Sequence, residues 1–396
     1  INPALAGHPS TFIYLFNFAC KYLQTNLSFE TMYSDNFLNN KLAERKEQQA
    51  FRSLKLPTTG AVDFCSNDYL GIVYHKKLQL STTEFIAPYG STGSRLLAGN
   101  YSLIEEVEQE LASFHQSAAA IIYNSGYDAN VGLLSCVPQK GDTILYDYLC
   151  HASIRDGIRL SFANAFSFAH NDISDLQKKI TNATGNIFIV TESVFSMDGD
   201  FCNLSQLVQL AQQYNAHLIV DEAHATGVIG NRGEGLVQQL NFQHNIFARI
   251  HTFGKACGCH GAVVLGSKLL RDYLINFSRS LMYSTSLPPH TIEIIKKSYQ
   301  TFPSMTQERL HLQQLIQQFQ SANIGYEKLI STTLIQAVVV PGNQKVKLLA
   351  KKLQENNFDV RPILYPTVPK GKERLRIVLH AFNSEKQLDQ LIELLQ

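Results

Sequence analysis

Short apolar runs alternate with stretches of helical periodicity between residues 119 and 265. Runs of β-branched and aromatic residues are typical of strands buried in a sheet, and apolar residues three and four apart are typical of helices packed on it. Because strands and helices alternate, we expect an α/β fold with a mostly parallel sheet and helices on both faces. The pattern predicts seven strands: Ala119–Tyr123, Thr143–Tyr146, Ala165–Phe168, Ile187–Thr191, Leu218–Val220, Ala248–Thr252 and Ala262–Leu265.

The pattern differs on both sides of this region. Apolar residues at helical spacing between Phe37 and Leu54 predict an amphipathic N-terminal helix, with Ser34 or Asp35 as its cap. A long helical stretch after Pro288-Pro289 precedes a predicted smaller α+β lobe with an antiparallel sheet. Its strands are predicted at 334–340, 358–364 and 374–379, with helices at 291–322 and 384–395.

The predicted organisation of the chain has four parts. We expect residues 1–31 to be an extension outside the fold and residues 32–66 to form a helical segment. The large domain is expected at 67–290 and the C-terminal domain at 291–396. With 396 residues, of which 45% are hydrophobic, the chain can bury the core of two such lobes.

Composition excludes several classes of function. The net charge of +1 gives no reason to expect a nucleic-acid partner. The lack of a run of 18 apolar residues predicts no membrane span. Seven scattered cysteines without a CxxC pair favour a reduced, cytoplasmic chain. Cys257, Cys259 and His260 lie close together, but their spacing matches no usual zinc pattern, so we predict no metal.

Polar residues follow the predicted strands at their carboxyl ends, where open α/β sheets bind ligands. Taken alone, an Asp at a strand end is usually a helix cap, and a Lys beside a Gly is usually on the surface. Together, Asp221, His224 and Lys255 favour pyridoxal 5'-phosphate (PLP). A partly desolvated lysine has a lowered pKa and can form a Schiff base with an aldehyde, while the pyridine nitrogen needs a carboxylate partner.

Two glycine-containing stretches bear on phosphate binding. Gly126 separates a predicted strand from a helix whose free N–H groups, including that of Tyr127, would suit a phosphate; the alternative is an ordinary βα turn. The stretch Tyr89–Asn100 is either a flexible loop or a surface near a phosphate or CoA. It lacks GxGxxG, which argues against a nicotinamide dehydrogenase.

The segments DEAHATG (221–227) and TFGKACG (252–258) resemble the α-oxoamine synthase family of fold-type I PLP enzymes. Members of this family join an amino acid to an acyl-CoA with loss of carbon dioxide. NSGYDAN, YSTSLPP and PTVPKGKERLRI favour the branch that condenses L-alanine with pimeloyl-CoA, or a pimeloyl carrier-protein thioester, in biotin synthesis. The sibling activities of glycine C-acetyltransferase, 5-aminolevulinate synthase and serine palmitoyltransferase stay open, as does a cofactor-free partner subunit.

The resemblance implies roles for the residues around the cofactor. Lys255 would hold the cofactor and move the α-proton, Asp221 would pair with the ring nitrogen, and His151 would stack on the ring; the alternative for His151 is a core histidine. Donors to the phenolic oxygen would be His224 and Ser196.

The resemblance also assigns the remaining contacts. Thr252 would bind the phosphate, together with Thr285 of a neighbouring subunit, which implies a homodimer with shared sites. The substrate carboxylate would meet Arg376, with Arg374 as the alternative, and Asn67. Contacts to the acyl chain would come from Thr367 and Arg52.

Overall fold

The computed structural model describes residues 34–78 and 89–396. By its internal contacts the chain divides after Ser53. The predicted extension over residues 1–31 lies outside the described residues, and the predicted domain boundaries after residues 66 and 290 stay predictions.

The predicted N-terminal helix is shorter than expected. A 3₁₀ turn, Asn36–Leu38, leads into the helix Asn39–Glu47. Asp35 makes no side-chain capping bond, and the Ser34 hydroxyl instead accepts from the Asn36 N–H at 3.3 Å. The prediction of one helix reaching residue 54 was wrong because Gln49 adopts a left-handed backbone conformation, with φ of 53°, that ends the helix.

Among the described residues, seven strands form the large sheet, and each predicted strand is confirmed to within a residue at either end. Along the chain, after the short strand β1 (Val62–Asp63), these strands are β2 (Ala119–Tyr123), β3 (Thr143–Asp147), β4 (Asn164–Phe168), β5 (Ile187–Glu192), β6 (His217–Asp221), β7 (Ala248–Thr252) and β8 (Ala262–Gly266). The order across the sheet is β2-β8-β7-β6-β5-β3-β4; β8 runs antiparallel to β2 and β7, and the other neighbouring pairs are parallel.

Alternate residues of the central strands pack into separate cores on the two faces of the sheet. Ile144 and Ile219 belong to one core, with residues of the helices Gly126–Cys136 and Ala152–Leu160. Leu145 and Leu218 belong to the other, with residues of the helices Ile173–Ile180 and Leu204–Gln213. Side chains of a strand point to opposite faces in turn, so runs that are apolar throughout require helices on both sides.

The C-terminal region is α+β, as predicted. Its strands are β9 (Glu327–Lys328), β10 (Ile335–Val339), β12 (Arg361–Ile363) and β13 (Arg374–Val378). In the part of the chain that the structure describes, they form an antiparallel sheet of order β12-β13-β10-β9. The expected strand over 358–364 is wrong as one element: Phe358–Asp359 (β11) pairs in parallel with β1, whereas β12 joins the antiparallel sheet.

The helical stretch predicted over 291–322 is also divided. The helices Pro289–Thr301 and Thr306–Ser321 are separated by a 3₁₀ turn, Phe302–Ser304, whose Pro303 lacks the N–H that a continuous helix would use. The other helices described are Ser102–Phe114, Leu236–Gln239, Lys268–Phe277, Arg279–Met282, Asn343–Glu355 and Glu385–Leu395.

Candidate active site

A pocket of ≈ 220 Å³ opens beside the carboxyl ends of β5, β6 and β7. The strand register brings its polar groups together, because Glu192 pairs with Asp221, and Asp221 pairs with Ile250, two residues before Thr252. Eight of the residues singled out in the sequence line this pocket: Asn67, Gly126, Tyr127, His151, Asp221, His224, Thr252 and Lys255.

Asp221 ends β6 and is 6% exposed. Its Oδ1 accepts from the Ala223 N–H at 2.8 Å, and its Oδ2 accepts from Asn130 Nδ2 at 2.7 Å. Both partners are neutral donors, so these bonds fix the orientation of the carboxylate without neutralising its charge. A buried anion held in this way suits a ligand that brings a positive charge.

Lys255 follows β7 at the pocket wall and is partly buried. Burial lowers the pKa of Lys255, with the charge of Asp221 opposing this shift and that of Arg376 assisting it. A lysine with a lowered pKa carries more of the neutral amine that attacks a carbonyl group.

His224 is buried beside a tyrosine that the sequence analysis did not identify. The hydroxyl oxygen of Tyr69 lies 2.6 Å from His224 Nδ1 and 3.0 Å from Asn67 Oδ1. Burial, followed by the charge of Lys255, lowers the pKa of His224 well below its ordinary value, so the ring is neutral at pH 7. Burial raises the pKa of Tyr69 to about 12, so its hydroxyl keeps its proton as a hydrogen-bond donor.

His151 caps the helix Ala152–Leu160 and faces the same pocket. Its backbone N–H donates to Glu192 Oε1 at 2.6 Å, and its Nδ1 lies 2.7 Å from Ser153 Oγ. Burial lowers the pKa of His151, which favours the neutral imidazole. Burial and the charge of Asp221 raise the pKa of Glu192 to about 8, so Glu192 is mostly protonated at pH 7.

The other end of the pocket suits an anion. Ser125 caps the helix Gly126–Cys136 and leaves the first N–H groups of that helix facing the pocket lining. A Cβ at Gly126 would lie 2.5 Å from Thr252 Cγ2, so the close approach of these two segments requires glycine. Thr252 Oγ1 is buried without a hydrogen-bond partner among the described residues. A phosphate would satisfy both the N–H groups and this hydroxyl.

Arg376 adjoins the pocket through Asn67. Its Nη2 donates to Asn67 Oδ1 at 3.1 Å and its Nε donates to the Ser196 carbonyl at 2.7 Å, and both acceptors are neutral. Arg374, two residues earlier on β13, is instead paired with the carboxylate of Asp198. The charge of Arg376 is therefore the one better placed to bind an incoming carboxylate.

Several predicted residues lie away from the pocket lining. The Ser196 carbonyl is engaged by Arg376, and the side chain of Ser196 is not among the groups that form the wall. The Thr285 carbonyl accepts from Asn124 Nδ2 at 2.8 Å. Thr367 belongs to the turn after β12, where its N–H donates to the Leu364 carbonyl at 2.8 Å. Arg52 belongs to the N-terminal unit. Their roles stay predictions.

A partly buried ion triad holds the loop that carries Ser196: Asp147 is buried, whereas His170 and Asp200 are half-buried. His170 Nδ1 lies 3.0 Å from Asp147 Oδ1, and His170 Nε2 lies 2.8 Å from Asp200 Oδ2. Hydrogen bonds to both carboxylates raise the pKa of His170 to about 10 against the opposing effect of burial. Both ring nitrogens therefore carry protons at pH 7, and the imidazolium joins the end of β3 to this loop.

Three polar residues of the site had only weak signals in the sequence. Asn130 is a lone amide between apolar residues of a buried helix, Tyr69 follows a turn motif, and Ser153 lies just past a helix cap. Each is buried, and each bonds to a residue that the sequence did identify. The partners of Tyr69 and Asn130 are distant in sequence, so only the fold reveals these two contacts, whereas Ser153 bonds to His151 two residues earlier.

No group of three or more potential metal ligands occurs in residues 34–78 and 89–396. The six cysteines within these ranges are free thiols. In the same ranges, the structure has no helix that is both long enough and apolar enough to span a bilayer.

Comparison with known proteins identifies the family. Residues 59–395 match the family described as aminotransferase class I and II. This chain belongs to that family. A relative from Emericella nidulans, named 8-amino-7-oxononanoate synthase, is 39% identical over 385 residues, covering 90% of this chain and 93% of its own.

Two solved structures of proteins similar to this aminotransferase-family chain add to the comparison. One, named 8-amino-7-oxononanoate synthase from Francisella tularensis, has a TM-score of 0.74 and 31% identity, covering 85% of this chain and 97% of its own. Another, described as SPT with PLP, has a TM-score of 0.81 and 25% identity, covering 91% of this chain and 97% of its own. Both similarities extend over most of the fold, so the fold-type I architecture expected from the sequence is confirmed.

Proposed function

We propose that this protein catalyses the decarboxylative condensation of L-alanine with a pimeloyl thioester, which forms 8-amino-7-oxononanoate in biotin biosynthesis. The observation that carries the proposal is that Asp221, the last residue of β6, and Lys255, just past the adjacent parallel strand β7, line one pocket. Relatives named 8-amino-7-oxononanoate synthase, at 39% and 31% identity, support this reaction type.

Pyridoxal 5'-phosphate fits the groups of this pocket. The N–H groups at Gly126 and Tyr127 and the unpartnered Thr252 hydroxyl suit a phosphate, the Asp221 carboxylate suits a protonated pyridine nitrogen, and the Lys255 amine suits an aldehyde. When bound, PLP supplies an electron sink that stabilises negative charge on the α-carbon of an amino acid. A protein similar to this one is described as SPT with PLP.

In this proposal the residues of the chain bind, orient and move protons. The amine of Lys255, whose pKa is lowered by burial, would hold PLP and would carry the α-proton of the substrate on Nζ. The neutral ring of His224, joined to Tyr69, would give the cofactor a polar contact without adding positive charge. The neutral imidazole of His151 would lie against the pyridine ring of the cofactor.

Arg376 and Asn67 would bind the carboxylate of L-alanine. The guanidinium of Arg376 is held by neutral acceptors on two sides, which orients its remaining N–H groups for a bidentate contact. Thr367 and Arg52 would contact the pimeloyl chain, delivered either by CoA or by a carrier protein.

We further propose that the enzyme is a cytoplasmic homodimer with shared sites. Thr285 would reach the phosphate bound by the partner, because within its own chain it lies with Asn124 and Arg95 and does not line the pocket of Lys255. Free thiols at the six described cysteines support a reducing compartment.

The similarity to a structure described as SPT makes a sibling synthase the second candidate. A substrate panel separates the two. Purified protein with PLP would be assayed with L-alanine, glycine and L-serine against pimeloyl-, acetyl-, succinyl- and palmitoyl-CoA and pimeloyl carrier protein, with product identified by mass spectrometry. The proposal predicts the highest kcat/KM for alanine with a pimeloyl thioester and no product from Lys255→Ala. Preference for glycine or serine would contradict it in favour of a sibling.

A further inference from the structure

A chain of hydrogen bonds runs from Asp221 through two buried residues, Asn130 and Ser153, to the exposed side chain of His151 at the pocket wall. Asn130 is 2% exposed, and its Nδ2 lies 2.7 Å from Asp221 Oδ2 and 3.1 Å from Ser153 Oγ. The opposite orientation of the amide would press its oxygen against the carboxylate, two acceptors in contact, so the amide nitrogen must face Asp221. Its two protons then go to Asp221 and to the Ser153 hydroxyl oxygen.

The orientation of the Asn130 amide also determines where the protons of the Ser153 hydroxyl and the His151 ring lie. Since the Ser153 oxygen accepts from Asn130, its own proton is free to go to His151 Nδ1, 2.7 Å away. The Ser153 backbone N–H also donates to His151 Nδ1, at 3.2 Å. Donors approach Nδ1 from two directions, so this nitrogen carries no proton and the neutral ring of His151 is protonated on Nε2.

We propose that Asn130 is a positioning residue that orients the Asp221 carboxylate and, through Ser153, keeps His151 neutral with its proton on Nε2. The inference rests on the proposed function for its role in catalysis, although the proton arrangement itself does not. The Asn130 amide thereby links Asp221, proposed to pair with the pyridine nitrogen of PLP, to His151, proposed to lie against the PLP ring.

The other half of the Asn130 amide supports this assignment. Asn130 Oδ1 is buried without a hydrogen-bond partner among the described residues, and an unmatched buried carbonyl costs free energy. An asparagine placed only to stabilise the helix Gly126–Cys136 would be expected to pair both ends of its amide. The unpaired Oδ1 is explained if the role of Asn130 is to donate its two Nδ2 protons to Asp221 and Ser153.

The first test measures the protonation of His151 directly in the full-length protein. NMR of [13Cε1]histidine-labelled protein, with the His151 signal assigned through His151→Gln, would follow its titration with and without PLP. Ser153→Ala removes the hydroxyl donor to Nδ1, and Asn130→Ala frees the Ser153 hydroxyl to turn away from Nδ1 or to accept from it. Nδ1 then keeps only the longer contact from the Ser153 backbone N–H, at 3.2 Å, so each variant should raise the midpoint by at least about one pH unit. Ser153→Thr, which keeps the hydroxyl, should restore the wild-type midpoint. Unchanged midpoints in Ser153→Ala would overturn the proposal, even if Asn130→Ala did not fold.

The second test measures the holoenzyme. Asn130→Ala should weaken PLP binding about tenfold and shift the acid limb of the kcat/KM profile upward, while Ser153→Ala should shift the limb with PLP affinity within about threefold. Asn186→Ala is the matched control: its amide donates to Asp142 Oδ1 at 3.0 Å, away from the pocket. If both variants behave like this control, Asn130 has no positioning role. If wild-type protein neither binds PLP nor forms product while the NMR shifts occur, the proposed function fails and the proton arrangement stands.

Discussion

Replacing Asp221 with asparagine removes the negative charge of the site with almost no change in shape. The new side chain can still accept from the Ala223 N–H, but its amide group would face the Asn130 Nδ2, donor against donor. A charge pair at about 4 Å and an effective dielectric of about 20 is worth about 4 kcal/mol, or about three pKa units for a bound pyridine nitrogen. If that stabilisation is needed in the transition state, kcat falls about 1,000-fold.

Asp142→Asn provides the matched control. Asp142 is also 6% exposed, and its carboxylate likewise accepts from an asparagine amide, that of Asn186, at 3.0 Å. The two substitutions should lower the free energy of unfolding by similar amounts, measured by urea denaturation followed by circular dichroism. Steady-state kinetics at saturating PLP should show the large loss of kcat only for Asp221→Asn. A loss below about tenfold, or equal to that of Asp142→Asn, would refute the reasoning.

Three further predictions concern the surroundings of the pocket. Arg376→Lys should raise the KM for L-alanine about 10- to 100-fold, because an ammonium group cannot make the bidentate contact that the guanidinium makes with a carboxylate. An increase in KM no larger than that of Arg374→Lys in the same assay would contradict this prediction. Tyr69→Phe should lower kcat/KM about tenfold through loss of a hydrogen bond to His224 worth about 1.4 kcal/mol, and kinetics equal to wild type would exclude that contact from catalysis. The raised pKa of His170 means that its stabilisation is complete below its unfolded value of about 6.5 and is lost as pH rises toward about 10. Urea unfolding should therefore show stability falling by roughly 3 kcal/mol between pH 7 and pH 10, and His170→Gln should abolish that slope.

Much of the large domain could be predicted because its strands are short, apolar throughout and followed by polar residues. Consecutive residues of one strand, such as Ile189 and Val190 of β5 or Leu218 and Ile219 of β6, pack into cores on opposite faces of the sheet. The apolar run of each strand therefore predicts helices on both faces. Asp221 and Lys255 could be predicted to lie at one edge of the sheet because both occur at the carboxyl ends of strands in its parallel part.

Other features depend on contacts that periodicity does not report. The segment Phe358–Ile363 is divided because its first half pairs with Val62–Asp63, about 300 residues earlier in the chain. The N-terminal helix ends at Glu47 through the backbone conformation of Gln49, a residue with no special preference for it. Asn130 and Tyr69 can be identified as site residues only from the fold, which brings Asn130 into contact with Asp221 and Tyr69 into contact with His224.

The most direct test of the central claim is to find where the cofactor is attached. Protein incubated with PLP, reduced with borohydride and digested would be mapped by mass spectrometry. The account predicts a pyridoxyl phosphate adduct on Lys255, absent from Lys255→Ala and at lower occupancy in Asp221→Asn at limiting PLP. An adduct on a different lysine, or protein that stays unlabelled and colourless with excess PLP, would contradict it.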